Sequence, residues 1–280
     1  MDQRIGFMQG RLVDQLHGKI QAFPWNEWRL EFPRAFDMKL TKMEWTLDDE
    51  RLFENPFVTK EGQEEILELM REYKVMVPSL TGDCFMQKPF WKACLRDRAE
   101  LLEKLELVIQ CSSILGLRFI VIPLVDSGQI ETAEQMEVLK TTLFGHSDFM
   151  REKGLQVIFE ADFPPKEYLN FINQFPRDLF NINYDIGNSA SLGFNSAEEF
   201  GVYGSRIANV HVKDRLLGGT TVPIGSGSAN FDLVFAGLSR LGYRGNFILQ
   251  TARAPNRDHG KVLIDYASLT KGFLQRHYGP

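Results

Sequence analysis

The chain has 280 residues, 44% of them hydrophobic and 25% charged, which is material for one large α/β barrel or two ordinary domains. A formal charge of −5 and a pI of about 5.7 argue against a nucleic-acid binder, whose affinity rests on phosphate contacts. They leave a small phosphorylated substrate open, because local charge can differ from net charge. Cys84, Cys94 and Cys111 form no CxxC pair, the first residues MDQRIGFMQG carry no signal pattern, and no apolar run approaches the roughly 18–20 residues that cross a bilayer. A cytoplasmic protein with reduced thiols and no membrane partner is expected, with Cys111 in the core.

In chain order, Ile5–Met8 reads as a first strand, followed by a polar loop over 13–24 and an aromatic-rich segment with Trp25, Trp28, Phe32 and Phe36. Lys42–Leu47 is the second strand, and the apolar spacing from Glu64 to Lys74 predicts an amphipathic helix. Val75–Leu80 is the third strand, and a loop over Thr81–Phe90 follows. A long helix over Arg96–Leu115 stops at Gly116. Phe119–Leu124, a continuous β-branched run, predicts a fourth strand buried on both faces. A helix over 133–153 ends at Gly154, and Leu155–Phe159 is the fifth strand, with Glu160 at its end and Asp162 just after.

Pro164 and Pro165 open a helix through Phe175. Two short apolar runs then end at Asp185 and at His211, with a helix-length stretch between them, giving strands six and seven. A helix over Phe231–Leu241 precedes Gly242, Asn246–Leu249 is the eighth strand, and a helix over roughly 259–276 closes the chain. Strands alternating with helices imply a parallel sheet, and eight repeats in this length match a single (β/α)8 TIM barrel over 1–280. An open doubly wound sheet fits less well, because Gly6-Phe7-Met8-Gln9-Gly10 lacks the dinucleotide spacing GxGxxG.

Barrel chemistry sits at the C-terminal ends of strands, where Glu44, Asp83, Glu160, Asp185, His211 and Gln250 fall. One acid there can serve only as a helix cap. Glu160, Asp185 and His211 are stronger together: they follow the apolar runs of three consecutive strands. Carboxylate oxygens plus one imidazole suit Mn²⁺, Mg²⁺, Co²⁺ or a similar cation, and the absence of nearby cysteine argues against a structural zinc site. His17, His146, His259 and His277 fall in loops or on helices and are expected to be solvated.

The order Glu160, then Asp185-Ile186-Gly187-Asn188, then His211-Val212-Lys213-Asp214-Arg215, then Pro223-Ile224-Gly225-Ser226-Gly227, resembles the xylose isomerase-like TIM-barrel family of sugar and sugar-phosphate isomerases, epimerases and endonuclease IV. Gly225–Asp232, Gly242-Tyr243-Arg244-Gly245 and Asp83-Cys84-Phe85-Met86 look like the L-ribulose/L-xylulose 5-phosphate 3-epimerase branch. The resemblance spans nearly the whole chain and is strongest over 155–253. It implies one divalent cation (Mn, Mg, Co or Zn) held by Glu160, Asp185, His211 and position 250, and a sugar or sugar-phosphate substrate. It also implies two glutamates that move protons on opposite faces of a ketose carbon. Endonuclease IV collects many more histidines than the five present here.

The chain departs from the family at position 250, where Phe247-Ile248-Leu249-Gln250-Thr251 carries glutamine instead of glutamate. The amide oxygen can still bind a hard cation, without charge, but the group does not titrate near neutral pH. Three readings follow. One is an isomerase or epimerase with Glu160 as base. In that case isomerisation needs one base, and epimerisation needs a further donor such as Glu44, Asp214 or water. The second is a metal-dependent dehydratase, and the third a non-catalytic or altered sugar-binding barrel. Lys213, Arg215, Asn188, Glu44, Asp214 and Arg253, with Arg11, are candidate substrate contacts. For Lys213 and Arg215 surface pairing with Asp214 is the alternative. The loop Gly225–Ser228 is a candidate phosphate nest or a simple turn. Trp25, Trp28, Phe85, Phe90 and Trp91 wall a sugar pocket, pack as lid core, or form the contact of a homo-oligomer.

Overall fold

The computed structural model of the chain describes residues 1–14 and 21–279. Its strands are β1 (Ile5–Met8), β2 (Lys42–Thr46), β3 (Met76–Thr81), β4 (Phe119–Leu124), β5 (Gln156–Ala161), β6 (Phe180–Asp185), β7 (Ile207–Val212) and β10 (Asn246–Leu249). These eight close into a parallel barrel in the order β1-β10-β7-β6-β5-β4-β3-β2. The expected (β/α)8 architecture is therefore present. Between β7 and β10 a two-stranded antiparallel hairpin, β8 (Asp214–Arg215) and β9 (Thr221–Val222), adds a feature with no periodic signature in the sequence.

The helices are α1 (Glu31–Asp37), α2 (Lys60–Tyr73), α3 (Asp83–Gln87), α4 (Leu95–Ile114), α5 (Ala133–Gly145), α6 (Ser147–Lys153), α7 (Pro165–Ile172), α8 (Ile186–Leu192), α9 (Ser196–Tyr203), α10 (Phe231–Arg240) and α11 (His259–Tyr278). Thr59 caps α2 through the Gly62 N–H, so that helix begins four residues earlier than its apolar pattern. The expected helix over 133–153 is broken at His146, which leaves the helical backbone with ψ near 2°. The expected loop after β3 folds as α3, and the stretch between Asp185 and His211 holds two helices. His17 and half of the loop expected over 13–24, residues 15–20, lie outside the described residues. Gly116 and Gly154 take left-handed φ of 73° and 67° at the expected helix stops.

Side chains alternate across each strand, so one parity faces the helices and the other the barrel axis. Ile120, Ile122, Val157, Phe159, Phe180, Ile182, Val210, Val212, Phe247 and Leu249 belong to the large core between sheet and helices. Phe119, Val121 and Ile158 form a separate small cluster inside the barrel. Above that apolar plug the axial positions turn polar: Glu44, Ser79, Asn183, Asn209, His211 and Glu160 are all buried. The fold thus places a water-poor polar layer directly beneath the C-terminal mouth.

The opposite end carries Lys42, Lys74, Arg118, Arg177 and Arg244 around a cavity of about 1020 Å³. Lys74 caps α2, Arg177 donates to the Ser205 carbonyl, and Arg118 and Arg244 lie over the Phe119 and Tyr278 rings.

Phe159 fills the sheet–helix layer completely, with Phe171, Phe175 and Phe180 at 5.1, 5.0 and 6.2 Å between ring centroids. Phe159→Ala should cost about 3–5 kcal/mol. Urea unfolding followed by circular dichroism should show a lowered midpoint; an unchanged midpoint would contradict the packing described.

Candidate active site

Parallel pairing puts Asp185 opposite His211 at the ends of β6 and β7, and Glu160 stands near the end of β5. One potential ligand atom from each of Glu160, Asp185 and His211 lies within 4.8 Å of the others, and all three residues are buried. Sequence spacing therefore brings together three of its four expected ligands directly. Gln250 joins them through Lys213, whose ammonium lies 2.6 Å from Asp185 Oδ2 and 3.0 Å from Gln250 Oε1.

His211 is oriented from below. Its Nε2–H donates to Glu44 Oε1 at 2.7 Å, and Glu44 Oε2 accepts from Ser79 Oγ at 2.6 Å and Asn209 Nδ2 at 3.2 Å. Glu44 was expected to end strand two at the mouth and to touch substrate. Instead it lies two residues before the end of β2, fully buried, and a shift in the β2–β3 register between Lys42 and Glu44 accompanies it. That depth removes it from substrate and makes it the carboxylate that orients the His211 ring. The other ring nitrogen, Nδ1, faces Glu160 Oε2 at 3.1 Å and Asp185 Oδ2 at 3.9 Å.

Glu160 accepts from Asn183 Nδ2 at 2.7 Å on one oxygen and from Asn188 Nδ2 at 2.8 Å on the other. Asn188 also donates its backbone N–H to Asp185 Oδ1 and accepts from Arg215 Nη1. Asn183, which spacing arguments missed, touches Glu160, His211 and Asn209. Its only signal was its parity, two residues before Asp185 on the same face of β6.

Burial opposes charge throughout this cluster, but the neighbours decide the outcome. His211 is carried up to about 10, because the Glu44 and Glu160 carboxylates outweigh its desolvation. Glu160 is also desolvated, yet His211, Lys213 and Asn183 hold it below the usual glutamate range. Burial raises Asp185, with Lys213 opposing and Glu160 assisting.

The donor set fits a divalent cation: two carboxylates, an imidazole nitrogen with its far side anchored, and an amide oxygen. Asp185 Oδ2 is buried and its nearest partner is the Lys213 ammonium at 2.6 Å, so a positive charge already stands where a cation would bind.

Other expected contacts are used elsewhere. Asp214 is fully buried and accepts from the backbone N–H groups of Gly225, Gly227 and Ala229 at 2.8, 2.9 and 3.2 Å. Ser226 N–H bonds Pro223 and Ser228 N–H bonds Arg215. The loop expected as a phosphate nest therefore already holds an anion, and Asp214 is that anion instead of a substrate contact. Arg253 donates to the Val13 carbonyl and Arg11 to the Thr251 carbonyl, so both tie mouth loops together. Arg215 also clamps the Gly219 carbonyl in the hairpin.

Trp28, Phe85, Phe90 and Trp91 are buried packing; Trp25 is half-buried, with Arg51 over its ring. His146, His259 and His277 are half-buried instead of solvated, the last two paired with Asp14 and Asp232. All three cysteines are unpaired, and Cys111 is buried as expected.

The sequence profile of the xylose isomerase-like TIM barrel matches residues 33–266, so the chain belongs to that family. No curated protein matches it in sequence. Among solved structures, the xylose isomerase domain protein from Planctomyces limnophilus aligns with TM-score 0.73 and 17% identity over 99% of both chains. The IolI protein with a bound zinc atom aligns with TM-score 0.75 and 14% identity over 99% of this chain and 100% of that one. The 3-keto-D-glucoside 4-epimerase YcjR from E. coli aligns with TM-score 0.68 and 16% identity over 97% and 100%. These likenesses carry the fold, and none singles out the L-ribulose/L-xylulose 5-phosphate branch. Among the described residues no helix is long and apolar enough to cross a membrane.

Asp214→Asn replaces an acceptor-only group with an amide that places its own N–H against backbone N–H groups. The expected cost is about 1–3 kcal/mol, with faster hydrogen exchange at Gly225, Gly227 and Ala229. Unchanged exchange at those amides would refute the anchoring role.

Proposed function

We propose that the chain is a divalent-cation-dependent sugar isomerase or epimerase that begins by removing a proton beside a ketose carbonyl, with Glu160 as the base. The observation that carries this reading is the convergence of Glu160, Asp185 and the Glu44-backed His211 within 4.8 Å at the catalytic end of the barrel. Membership of the xylose isomerase-like family and epimerases among the structural neighbours support the substrate class.

Glu160, Asp185, His211 and Gln250 would hold the cation. Bound there, it supplies positive charge for the carbonyl and adjacent hydroxyl oxygens of the sugar and eases loss of the proton between them. Glu160 is anionic at neutral pH and ready to take that proton at a carboxylate oxygen. Asn183 and Asn188 hold its two oxygens and set its plane. Asn188 and Arg215 line the approach to Glu160 and would meet sugar hydroxyls.

Gln250 favours chemistry by one base, since its amide gives up no proton near neutrality. The two side chains named as substitute donors are spent: Glu44 lies beneath His211, and Asp214 holds three backbone N–H groups. Aldose–ketose isomerisation, in which Glu160 returns the proton on the same face of an enediolate, suits this arrangement better than two-base epimerisation.

Purified protein incubated in deuterium oxide with a panel of ketoses, aldoses and their phosphates, plus Mn²⁺, tests the proposal. Deuterium should enter the carbon beside the carbonyl of at least one sugar, and Glu160→Gln should reduce that exchange by about 10²-fold or more. No exchange with any sugar, despite sugar binding, would instead leave a sugar-binding barrel. Glu44→Gln should weaken Mn²⁺ binding by about 10–100-fold, because it removes the carboxylate behind the histidine ligand. Unchanged affinity would contradict the role given to Glu44.

A further inference from the structure

Lys213 lies on the ligands themselves. Its ammonium sits 2.6 Å from Asp185 Oδ2 and 3.0 Å from Gln250 Oε1, and its side chain is 11% exposed. Two features hold it there.

The first is Gly187, in the first turn of α8. A Cβ at that position would come within 2.8 Å of Lys213 Cγ and 3.1 Å of its Cβ and carbonyl carbon. Only glycine lets the lysine stem cross that turn and reach Asp185.

The second is the polarity of a two-amide chain. Gln21 Nε2 donates to Asp83 Oδ2 at 2.8 Å, so Gln21 presents its oxygen to Gln250. Gln250 Nε2 donates to that oxygen at 2.8 Å, so Gln250 presents its own oxygen to Lys213. The only oxygen Gln250 has for a cation is thereby aimed at the ammonium.

We infer that Lys213 and a divalent cation compete for Asp185 Oδ2 and Gln250 Oε1, so that Lys213 sets how tightly the site holds metal. The inference rests on the metal site proposed above. An entering ion must displace the ammonium from both oxygens, and it gains one carboxylate charge fewer than a glutamate at 250 would provide. The glutamine and the lysine therefore act in the same direction, towards a site that takes up metal weakly and exchangeably.

Mn²⁺ titrations of the intact protein, read from the free-ion electron paramagnetic resonance signal, test this. Lys213→Met should tighten Mn²⁺ binding by about tenfold or more, because an adjacent positive charge is lost. Gly187→Ala, which crowds the lysine stem, should move affinity in the same direction by less. Lys213→Gln keeps a polar group at the position and carries the same prediction if the methionine variant does not fold. Adding Glu160→Gln to Lys213→Met should abolish the tight binding, which places the ion at this site. Equal or weaker binding by Lys213→Met, with wild-type binding lost in Glu160→Gln, overturns the competition and leaves the metal site standing. No binding by any variant overturns both.

Discussion

The hydrogen bond between Glu44 and His211 is the constraint on which the site depends. It spans 2.7 Å between two side chains that are each fully buried, on strands 167 residues apart in sequence. With Nε2–H committed to Glu44, Nδ1 is left to face Glu160 and Asp185. The closed barrel makes this bond possible, because only closure brings β2 across the axis from β7. The asparagines at 183 and 209 continue the same layer: Asn183 donates to Glu160, and Asn209 to Glu44 and Asn183, while Asn209 Oδ1 is left without a partner among the described residues.

The fold was legible because each strand is a short apolar run followed by a turn or helix signal, and those signals are local. Glu160, Asp185 and His211 were legible for the same reason: each ends or nearly ends such a run. Glu44 was misplaced because its meaning depends on a register shift and on a partner across the barrel. Asp214 was misplaced because its three acceptor contacts form only when the chain returns eleven to fifteen residues later. A carboxylate beside a glycine-rich loop reads the same in sequence whether it serves a substrate or anchors that loop. The β8–β9 hairpin carries too few residues for any periodicity to announce it.

Position 250, where the family resemblance implies glutamate, carries a glutamine whose surroundings hold both ends of its amide. A glutamate there would stand beside Asp185 and Glu160 in a buried cluster. The amide instead accepts from Lys213 and donates to Gln21, so position 250 becomes one link in a chain from Asp83 to Asp185. On the function proposed above, the site would keep anions for a cation without a second titratable group, which suits proton transfer by one base.

The claim that these side chains form a cation site is tested most directly by anomalous scattering from crystals grown with Mn²⁺. One strong anomalous peak is expected among Glu160, Asp185 and His211 Nδ1, close to the Gln250 amide oxygen, with Lys213 moved off Asp185. Crystals at saturating Mn²⁺ with no peak at that position, or with Lys213 still seated on Asp185 beneath a peak elsewhere, would contradict it.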